Sequence, residues 1–162
     1  MVARFLTFLL LTCMITGCYS PPPTSATIQI AGETFKLELA LNNKARARGL
    51  MERTSIPKGE GMLFVFPDAI NRSFWMKNCL IPLDIMFLDS RGTVTAVHNM
   101  PIEEPRAPSE SEFAYDSRLG HYWSNSPSRF AIELEAGELN RLGITVNDRI
   151  VMDFNFLRSI TQ

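Results

Sequence analysis

The amino-acid sequence predicts a single compact, mainly β domain, a β-sandwich or small barrel of about eight strands with two short helices. Short apolar runs rich in aromatic and branched side chains recur along the chain, and each is too short to be a helix. Turns containing proline, glycine and asparagine separate these runs at the spacing expected of sandwiches and barrels. The chain of 162 residues, 46% of them hydrophobic, is long enough for one such domain to bury its own core.

The first elements of this domain follow from alternation and capping. Residues 26–30 and 34–41 are predicted to be two strands, and apolar and polar side chains alternate in the second of them. Asn42 and Asn43 then offer the side chains that begin helices, so we expect a short helix over residues 44–51.

Three apolar runs form the centre of the predicted sheet, at residues 62–66, 74–76 and 83–88. The third run is apolar on both faces except for Asp84, so we expect it to be covered on both sides. A carboxylate in such a strand needs a partner, because an unpaired buried charge is very costly.

The partner predicted for Asp84 is Lys77. If the chain folds back between residues 78 and 83, Lys77 lies opposite Asp84 and Trp75 lies opposite Met86. That register would pair the two charges across adjacent strands.

The second half of the domain has the same pattern, interrupted by one long segment. Residues 93–100 are predicted to be a strand, and residues 101–127 an irregular segment of a length that is often functional. Residues 129–135 form a strand whose polar side chains, Glu133 and Glu135, are predicted to face outward. A short helix over residues 136–142 and a last strand over 149–156 complete the predicted domain.

The first 18 residues have the features of an export signal. Arg4 gives a basic start, and an apolar run over residues 5–11 is too short for a membrane-spanning helix. The motif Ile-Thr-Gly-Cys at residues 15–18 resembles the lipobox of bacterial lipoproteins, which implies cleavage before Cys18 and acylation of its thiol. The alternative is an ordinary signal peptide with an incidental cysteine.

The lipobox resemblance divides the chain into four parts. We expect a lipoprotein signal peptide over residues 1–17, a lipidated cysteine and proline-rich tether over 18–26, the β domain over 27–158 and a C-terminal tail over 159–162. The protein would be exported and lipid-anchored to the bacterial cell envelope. In a Gram-negative cell, Tyr19 after the cysteine would place it on the outer membrane, facing the periplasm.

Charge and cysteine content limit the partners. The formal net charge of −1, without long blocks of like charge, argues against nucleic acid. Arg46, Arg48 and Arg53 are expected to lie near one another, as a solvated basic face or, alternatively, as an anion site. The expected partners are the membrane, through Cys18, and an unknown small ligand or envelope protein. If Cys13 leaves with the signal and Cys18 carries lipid, Cys79 is the one remaining thiol, and a buried apolar setting is favoured over activation by Lys77.

Four blocks of the sequence resemble one known family. They are RGLMxR at residues 48–53, GMLFxF at 61–66, FWMKNxxIPLD at 74–84, and SPxRFxIELxAG at 126–137, followed by LGI at 142–144. These blocks are similar to the domain-of-unknown-function 192 family, over roughly residues 28–154. The resemblance implies a compact, mainly β and often exported domain, from a family without an established biochemical activity. Cys79 departs from the family pattern, which usually has threonine there, so the resemblance does not imply a hydroxyl-dependent role at this position.

The leading functional hypothesis is a binding module without catalysis. A few convergent polar groups on aromatic and aliphatic walls are typical of small-ligand sites. The candidate site residues are Arg48, Met51, Trp75, Lys77, Asn78 and Asp84. The alternative interpretation is that Lys77 and Asp84 are only a structural pair and that Trp75 belongs to the core.

Two other functions remain open. A hydrolase-like enzyme could use Asp84 as general base, although no nucleophile–histidine arrangement accompanies it. A cuprous-ion-handling protein could use soft sulfur and imidazole ligands, of which His98 and Met100 share one face of a strand. The other candidate sulfur ligands are those of Met51, Met62, Met76, Met86 and Cys79. Methionines spread through strands are more often core residues. We therefore expect no cofactor and no metal.

Overall fold

A computed structural model describes residues 21–161 of the chain. Within this range there are eight strands: β1 (Ser25–Ile30), β2 (Glu33–Ala40), β3 (Glu60–Ile70), β4 (Ser73–Phe74), β5 (Leu83–Leu88), β6 (Val94–Met100), β7 (Tyr122–Trp123) and β8 (Ser128–Glu135). The same range contains four short helices: α1 (Asn43–Arg48), α2 (Glu112–Arg118), α3 (Glu138–Arg141) and α4 (Phe154–Ser159). The predicted signal peptide and Cys18 lie outside the described residues.

Six of the strands form one sheet in the order β1-β2-β3-β8-β5-β6, and β4 pairs with β7 in a separate two-stranded sheet. Neighbours in the large sheet are antiparallel, except that β2 and β3 are parallel. A parallel pair needs a crossover, and α1 with the loop after it supplies this connection. β8 therefore lies between β3 and β5 in the interior of the sheet.

Both faces of the large sheet are covered. One face, called the α4 face, packs against α3, α4 and the C-terminal segment, with core residues that include Leu139 and Leu157. The other, called the α1 face, packs against α1, the loop after it, β4 and β7, with core residues that include Leu50 and Met76. All six side chains of β5 are buried because it meets both cores.

The mainly β class, the eight strands and a sandwich-like arrangement are confirmed. The large sheet does not close into a barrel, because its outer strands β1 and β6 do not pair with each other. Residues 149–151 contact both edges through isolated bridges only, Gln29 with Val151 and Thr93 with Arg149. Two helices were predicted, whereas the described range contains four. Ser111 begins α2 inside the segment predicted to be irregular, and Asp153 begins α4 where a strand was predicted. In both cases the capping side chain accepts a hydrogen bond from the first turn.

The predicted fold-back around residues 78–83 is wrong. β5 pairs with β6 on one side and with β8 on the other, so neither edge is open to residues 74–76. Trp75 consequently does not lie opposite Met86, whose strand neighbours are Val97 and Ile132. Among residues 21–161, no helix is long and apolar enough to cross a membrane.

Candidate functional site

A cavity of about 420 Å³ lies on the α1 face. Residues of α1 and the turn after it line one side, and residues from the end of β3 through β4 to Trp75 line the other. This volume is within the range of sites that hold small organic molecules.

Aromatic rings form much of the cavity wall. Phe74, from β4, meets the ring of Phe64 edge-on at 4.8 Å between centroids, and meets Phe66 edge-on at 6.3 Å. Phe74 also contacts Phe87 of the core at 5.4 Å. Edge-to-face packing of this kind is favourable and directional, so the wall is built into the core of the α1 face.

Glu133 lies among the lining residues and is the most unusual group of the site. It comes from the centre of β8, is 4% exposed, and its Oε2 atom has no hydrogen-bond partner. Burial raises the pKa of this carboxyl to about 8, because the charged form would be desolvated. Glu133 is therefore mainly a neutral carboxylic acid at pH 7.

Gly49 brings the backbone close to that carboxyl. Gly49 follows α1 with a backbone φ of +49°, a value that residues other than glycine rarely adopt. A Cβ atom at this position would lie 3.3 Å from Phe64 Cζ and 3.7 Å from Glu133 Oε2. Glycine therefore keeps space open beside the unpartnered oxygen.

Three guanidinium groups also belong to the cavity lining: those of Arg46, Arg48 and Arg72. The Arg72 guanidinium stacks on Phe66, with Cζ 3.6 Å from the ring centroid, and its Nε donates to the carbonyl of Ser128 at 2.9 Å. Its Nη2 donates to Asp68, whereas Nη1 makes no hydrogen bond within residues 21–161. Burial lowers the pKa of Arg72, although a guanidinium stays charged at neutral pH.

Arg46 and Arg48, both on α1, differ in their surroundings. Arg46 Nη1 donates to the carbonyl of Val65 at 2.7 Å and to that of Leu41 at 2.9 Å, which ties α1 to the sheet. Its Cζ is 5.4 Å from the centroid of Phe66. The Arg48 side chain is 71% exposed, with Glu52 at 3.4 Å, and so lies at the solvent side of the cavity.

Cys79 is the one free cysteine of the described range, and it is buried in the same lining. Burial raises the pKa of its thiol to about 12, with a further contribution from Glu133. The prediction of a buried apolar side chain is confirmed, and activation of the thiol by Lys77 is not observed.

The predicted pair of Lys77 and Asp84 is wrong. Lys77 Nζ lies 3.0 Å from Asp116 Oδ2 and also contacts Glu112, both on α2. The backbone N–H of Asn78 donates to the Tyr115 hydroxyl, also on α2. Lys77 and Asn78 therefore hold α2 against the domain.

Asp84 belongs to the opposite face of the sheet. Its Oδ1 accepts a hydrogen bond from Asn99 Nδ2 at 2.9 Å, and its Oδ2 accepts one from the backbone N–H of Leu139 at 2.9 Å. Strand alternation places Asp84 with Met86 on the α4 face, where it meets the start of α3. Of the predicted site residues, the structure brings together Arg48, Met51 and Trp75 in the cavity lining and separates Asp84 from them.

Trp75 connects the cavity to a row of aromatic rings on the two-stranded sheet. Its ring centroid is 5.8 Å from that of His121, which in turn is 6.1 Å from that of Trp123. Lys77 Nζ is 5.5 Å from the Trp75 ring. Trp123 is 53% exposed, so the row runs from the cavity to the surface.

The two residues of the metal alternative lie elsewhere. His98 Nε2 is 2.7 Å from the carbonyl oxygen of Trp123, and Met100 is fully buried. Within residues 21–161 no group of three or more histidine, cysteine, aspartate or glutamate side chains could hold a metal ion. Met86 lies on the α4 face, away from the methionines that share the α1-face core with Cys79.

Sequence reasoning missed Glu133, which was predicted to face solvent. The alternation in β8 was assigned correctly, since Ile132 and Leu134 do lie on the face opposite to Glu133. The sequence analysis did not predict that the second face of β8, which carries Glu133, is covered by another layer of residues. Ala131, which shares the face of Glu133, is a small apolar residue and was the one local signal that this face is also buried.

Comparisons with known proteins give the family and the fold of the chain. The family model of DUF192, described as an uncharacterized ACR, matches residues 26–152. None of the curated proteins compared with the chain matches it.

Two crystal structures share the fold. One is a protein of Sinorhizobium meliloti 1021 named as a candidate transcription regulator; it is 30% identical, with a TM-score of 0.63, over 80% of this chain and 96% of that chain. The other is a protein of unknown function from Novosphingobium aromaticivorans DSM 12444; it is 25% identical, with a TM-score of 0.67, over 85% of this chain and 94% of that chain.

Proposed function

The chain belongs to the DUF192 family of uncharacterised proteins, and from that premise we propose that it is a lipid-anchored cell-envelope protein that binds a small molecule in the α1-face cavity without catalysis. The ligand would contact the aromatic wall and reach the carboxyl group of Glu133. Arg48, Met51 and Trp75, which the sequence singled out, would contribute to the same site.

The observation that carries this proposal is the unpartnered Oε2 atom of Glu133 beside the cavity. Buried polar atoms in native proteins nearly always have hydrogen-bond partners, and each exception asks for an explanation. Leaving such a group unpaired costs about 1–3 kcal/mol. A ligand group that occupies the cavity and bonds to Oε2 would remove this penalty.

Binding has more support than catalysis. The Cys79 thiol, with a pKa of about 12, is a poor nucleophile at neutral pH. Asp84, the base of the hydrolase-like alternative, has both carboxylate oxygens engaged in structural hydrogen bonds. The described residues that line the α1-face cavity include no histidine, and those that line the separate cavity of Asp84 include His98 but no serine, threonine or cysteine to act as a nucleophile. A cuprous-ion function has less support than either, because His98 already bonds to a backbone carbonyl.

The lipid anchor is proposed from the sequence around Cys18 and the proline-rich stretch after it. The protein would be exported, and in a Gram-negative cell it would lie on the outer membrane, facing the periplasm. Metabolic labelling with radioactive palmitate tests this part. We expect label on the wild-type chain and none on the Cys18→Ser variant, and label of equal intensity on both would contradict the anchor.

Native mass spectrometry of the full chain, purified gently from its own host, tests the binding function. We expect a retained mass on the wild type that is lost from Glu133→Leu, which removes the polar group while keeping the position apolar. Glu135→Gln, an exposed change on the same strand, is the matched control and should keep the mass. A mass that survives in Glu133→Leu would place the ligand elsewhere and contradict the proposal.

A further inference from the structure

We propose that the ligand of this cavity is a small organic anion with a flat apolar body, to which Glu133 donates a hydrogen bond as a carboxylic acid. The inference rests on the proposed function, since it assigns a chemical class to the ligand of the same site. It follows from the charges of the lining, the state of Glu133 and the aromatic wall, considered in turn.

The charge of the lining favours an anion. Three guanidinium groups line the cavity, and Glu133 is the one acidic side chain among the described lining residues. Asp68 and Glu52 offset Arg72 and Arg48 in part, but both carboxylates lie outside the lining. A cationic ligand would therefore meet like charges on entry, whereas an anion would be attracted.

One of these guanidiniums has a donor to offer. Arg72 is held in position by Phe66, Ser128 and Asp68, while its Nη1 makes no hydrogen bond within the described range. A guanidinium that is fixed by other contacts and retains N–H donors is well suited to a carboxylate or similar oxyanion. Arg72 thus provides a preorganised partner for negative charge.

Glu133 determines which kind of ligand group can bind next to it. On the two neighbouring strands its register partners are Met62 and Ile85, both apolar, so neither offers Oε2 a hydrogen bond. A carboxyl in this setting stays protonated near neutral pH, as its pKa of about 8 expresses. In that form it donates a hydrogen bond to an acceptor oxygen, which an anionic ligand carries and an ammonium group lacks.

The expected pH dependence follows from the ionisable groups that line the cavity together with Glu133. These are the Cys79 thiol, whose pKa is about 12, and the guanidiniums of Arg46, Arg48 and Arg72, whose positive charge is permanent. Affinity for an anion should therefore fall as the pH rises through about 8, where Glu133 loses its proton and repels the ligand.

The test uses three probes that share a ring and differ in charge: benzoate, benzyl alcohol and benzylamine. The chain has two tryptophans, so in a Trp123→Phe background of the full chain the fluorescence of Trp75 reports the cavity alone. At pH 6.5, we expect benzoate at millimolar concentrations to change Trp75 fluorescence saturably, about tenfold more tightly than benzylamine.

Three variants extend this test. Arg48→Met, at the solvent side of the site, should weaken benzoate several-fold. Glu133→Gln, which keeps donors at that position, should bind benzoate with an affinity that no longer falls above pH 8. Glu135→Gln should behave as the unsubstituted chain does, since Glu135 is exposed.

The outcomes separate the two proposals. Tighter binding of benzylamine or benzyl alcohol than of benzoate would overturn the anion inference and leave the binding function intact. A benzoate affinity that does not fall above pH 8 in the unsubstituted chain would also overturn it. If none of the three probes changes Trp75 fluorescence and native mass spectra show no retained mass, both proposals fail.

Discussion

Asp84 and Glu133 are buried carboxyl groups on neighbouring strands of one sheet, 3% and 4% exposed, but they lie on opposite faces. On the α4 face, both oxygens of Asp84 accept hydrogen bonds, from Asn99 and from the start of α3. On the α1 face, Glu133 Oε2 has no partner and adjoins the cavity. The two carboxyl groups are thus similarly buried but differ in whether their oxygens have hydrogen-bond partners.

The difference separates an acid whose hydrogen bonds are complete from one whose hydrogen bond the proposed ligand would supply. Asp84 connects three elements, and although it also lines a cavity, of about 430 Å³, both of its oxygens already accept hydrogen bonds from the protein. Glu133 pays a desolvation penalty that nothing in the described chain offsets. Unpartnered buried polar atoms and strongly perturbed carboxyls are concentrated at binding and catalytic sites, which is why the proposed ligand is placed beside Glu133.

The largest expected effect is the pH dependence that Glu133 gives to folding. Its pKa is raised from 4.5 to about 8 in the folded state, so its contribution is fully present below about pH 4.5 and is lost as the pH rises to about 8. The loss of unfolding free energy should total about 5 kcal/mol. Urea denaturation of the full chain across this range measures it.

Glu133→Gln is the variant that checks this assignment. It should remove most of the loss of stability between about pH 5 and pH 8, whereas Glu135→Gln should retain that loss. If the Glu133→Gln chain still loses stability as the wild type does, another group is responsible and the contrast between the two carboxyls disappears.

The second largest effect is expected at Asp84, whose carboxyl oxygens both have hydrogen-bond partners. Asp84→Ala leaves Asn99 and the N–H of Leu139 without their partner, so the unfolding free energy should fall by about 3 kcal/mol. Denaturant titration at pH 7 measures this loss. The same variant should bind benzoate as the wild type does, since Asp84 is not in the cavity lining. An undiminished stability together with impaired benzoate binding would reverse the roles assigned to the two acids.

A smaller effect is expected at Lys77. Asp116 and Glu112 raise the pKa of this lysine, and Lys77→Met should lower stability by about 1 kcal/mol or less, because the pairs are partly solvated. Hydrogen exchange should speed up in α2 and remain unchanged in β5 and β8. Lys44→Met, on the exposed side of α1, serves as the control; equal exchange in α2 for both variants would show that Lys77 does not hold that helix.

The smallest effect is kinetic and involves no change of stability. Because the pKa of Cys79 is about 12 and its side chain is 9% exposed, the thiol should react slowly with iodoacetamide at pH 8. Adding denaturant should accelerate the reaction to the rate of a free cysteine. Rapid alkylation of the folded chain would mean that the cavity lining around Cys79 is open to water and reagents.

Much of the local structure could be predicted because it depends on neighbours in the chain. The alternation in residues 34–41 and 129–135 matches β2 and β8, and Asn42 begins α1 with its side chain accepting a hydrogen bond from the Ala45 N–H. The two-sided burial of β5 was predicted as well, since its six residues are apolar apart from Asp84. Each of these features depends on residues that lie only a few positions apart in the sequence.

The candidate site was predicted only in part. Arg48, Met51 and Trp75 were identified and do line the cavity, but the charge pair proposed for Lys77 and Asp84 assumed a hairpin that does not form. α2, which supplies the partners of Lys77, lies more than thirty residues further along the chain. No local pattern indicates a partner at that distance.

The sequence by itself determined the mainly β class, the positions of most strands, the family and the set of aromatic and basic residues available to a site. The tertiary structure decided which acid is satisfied and which is not. That outcome depends on β8 lying between β3 and β5, and on α1 and β4 covering the face of Glu133. Alternation tells which side chains share a face, but whether that face meets water or another layer depends on strand order and long-range packing.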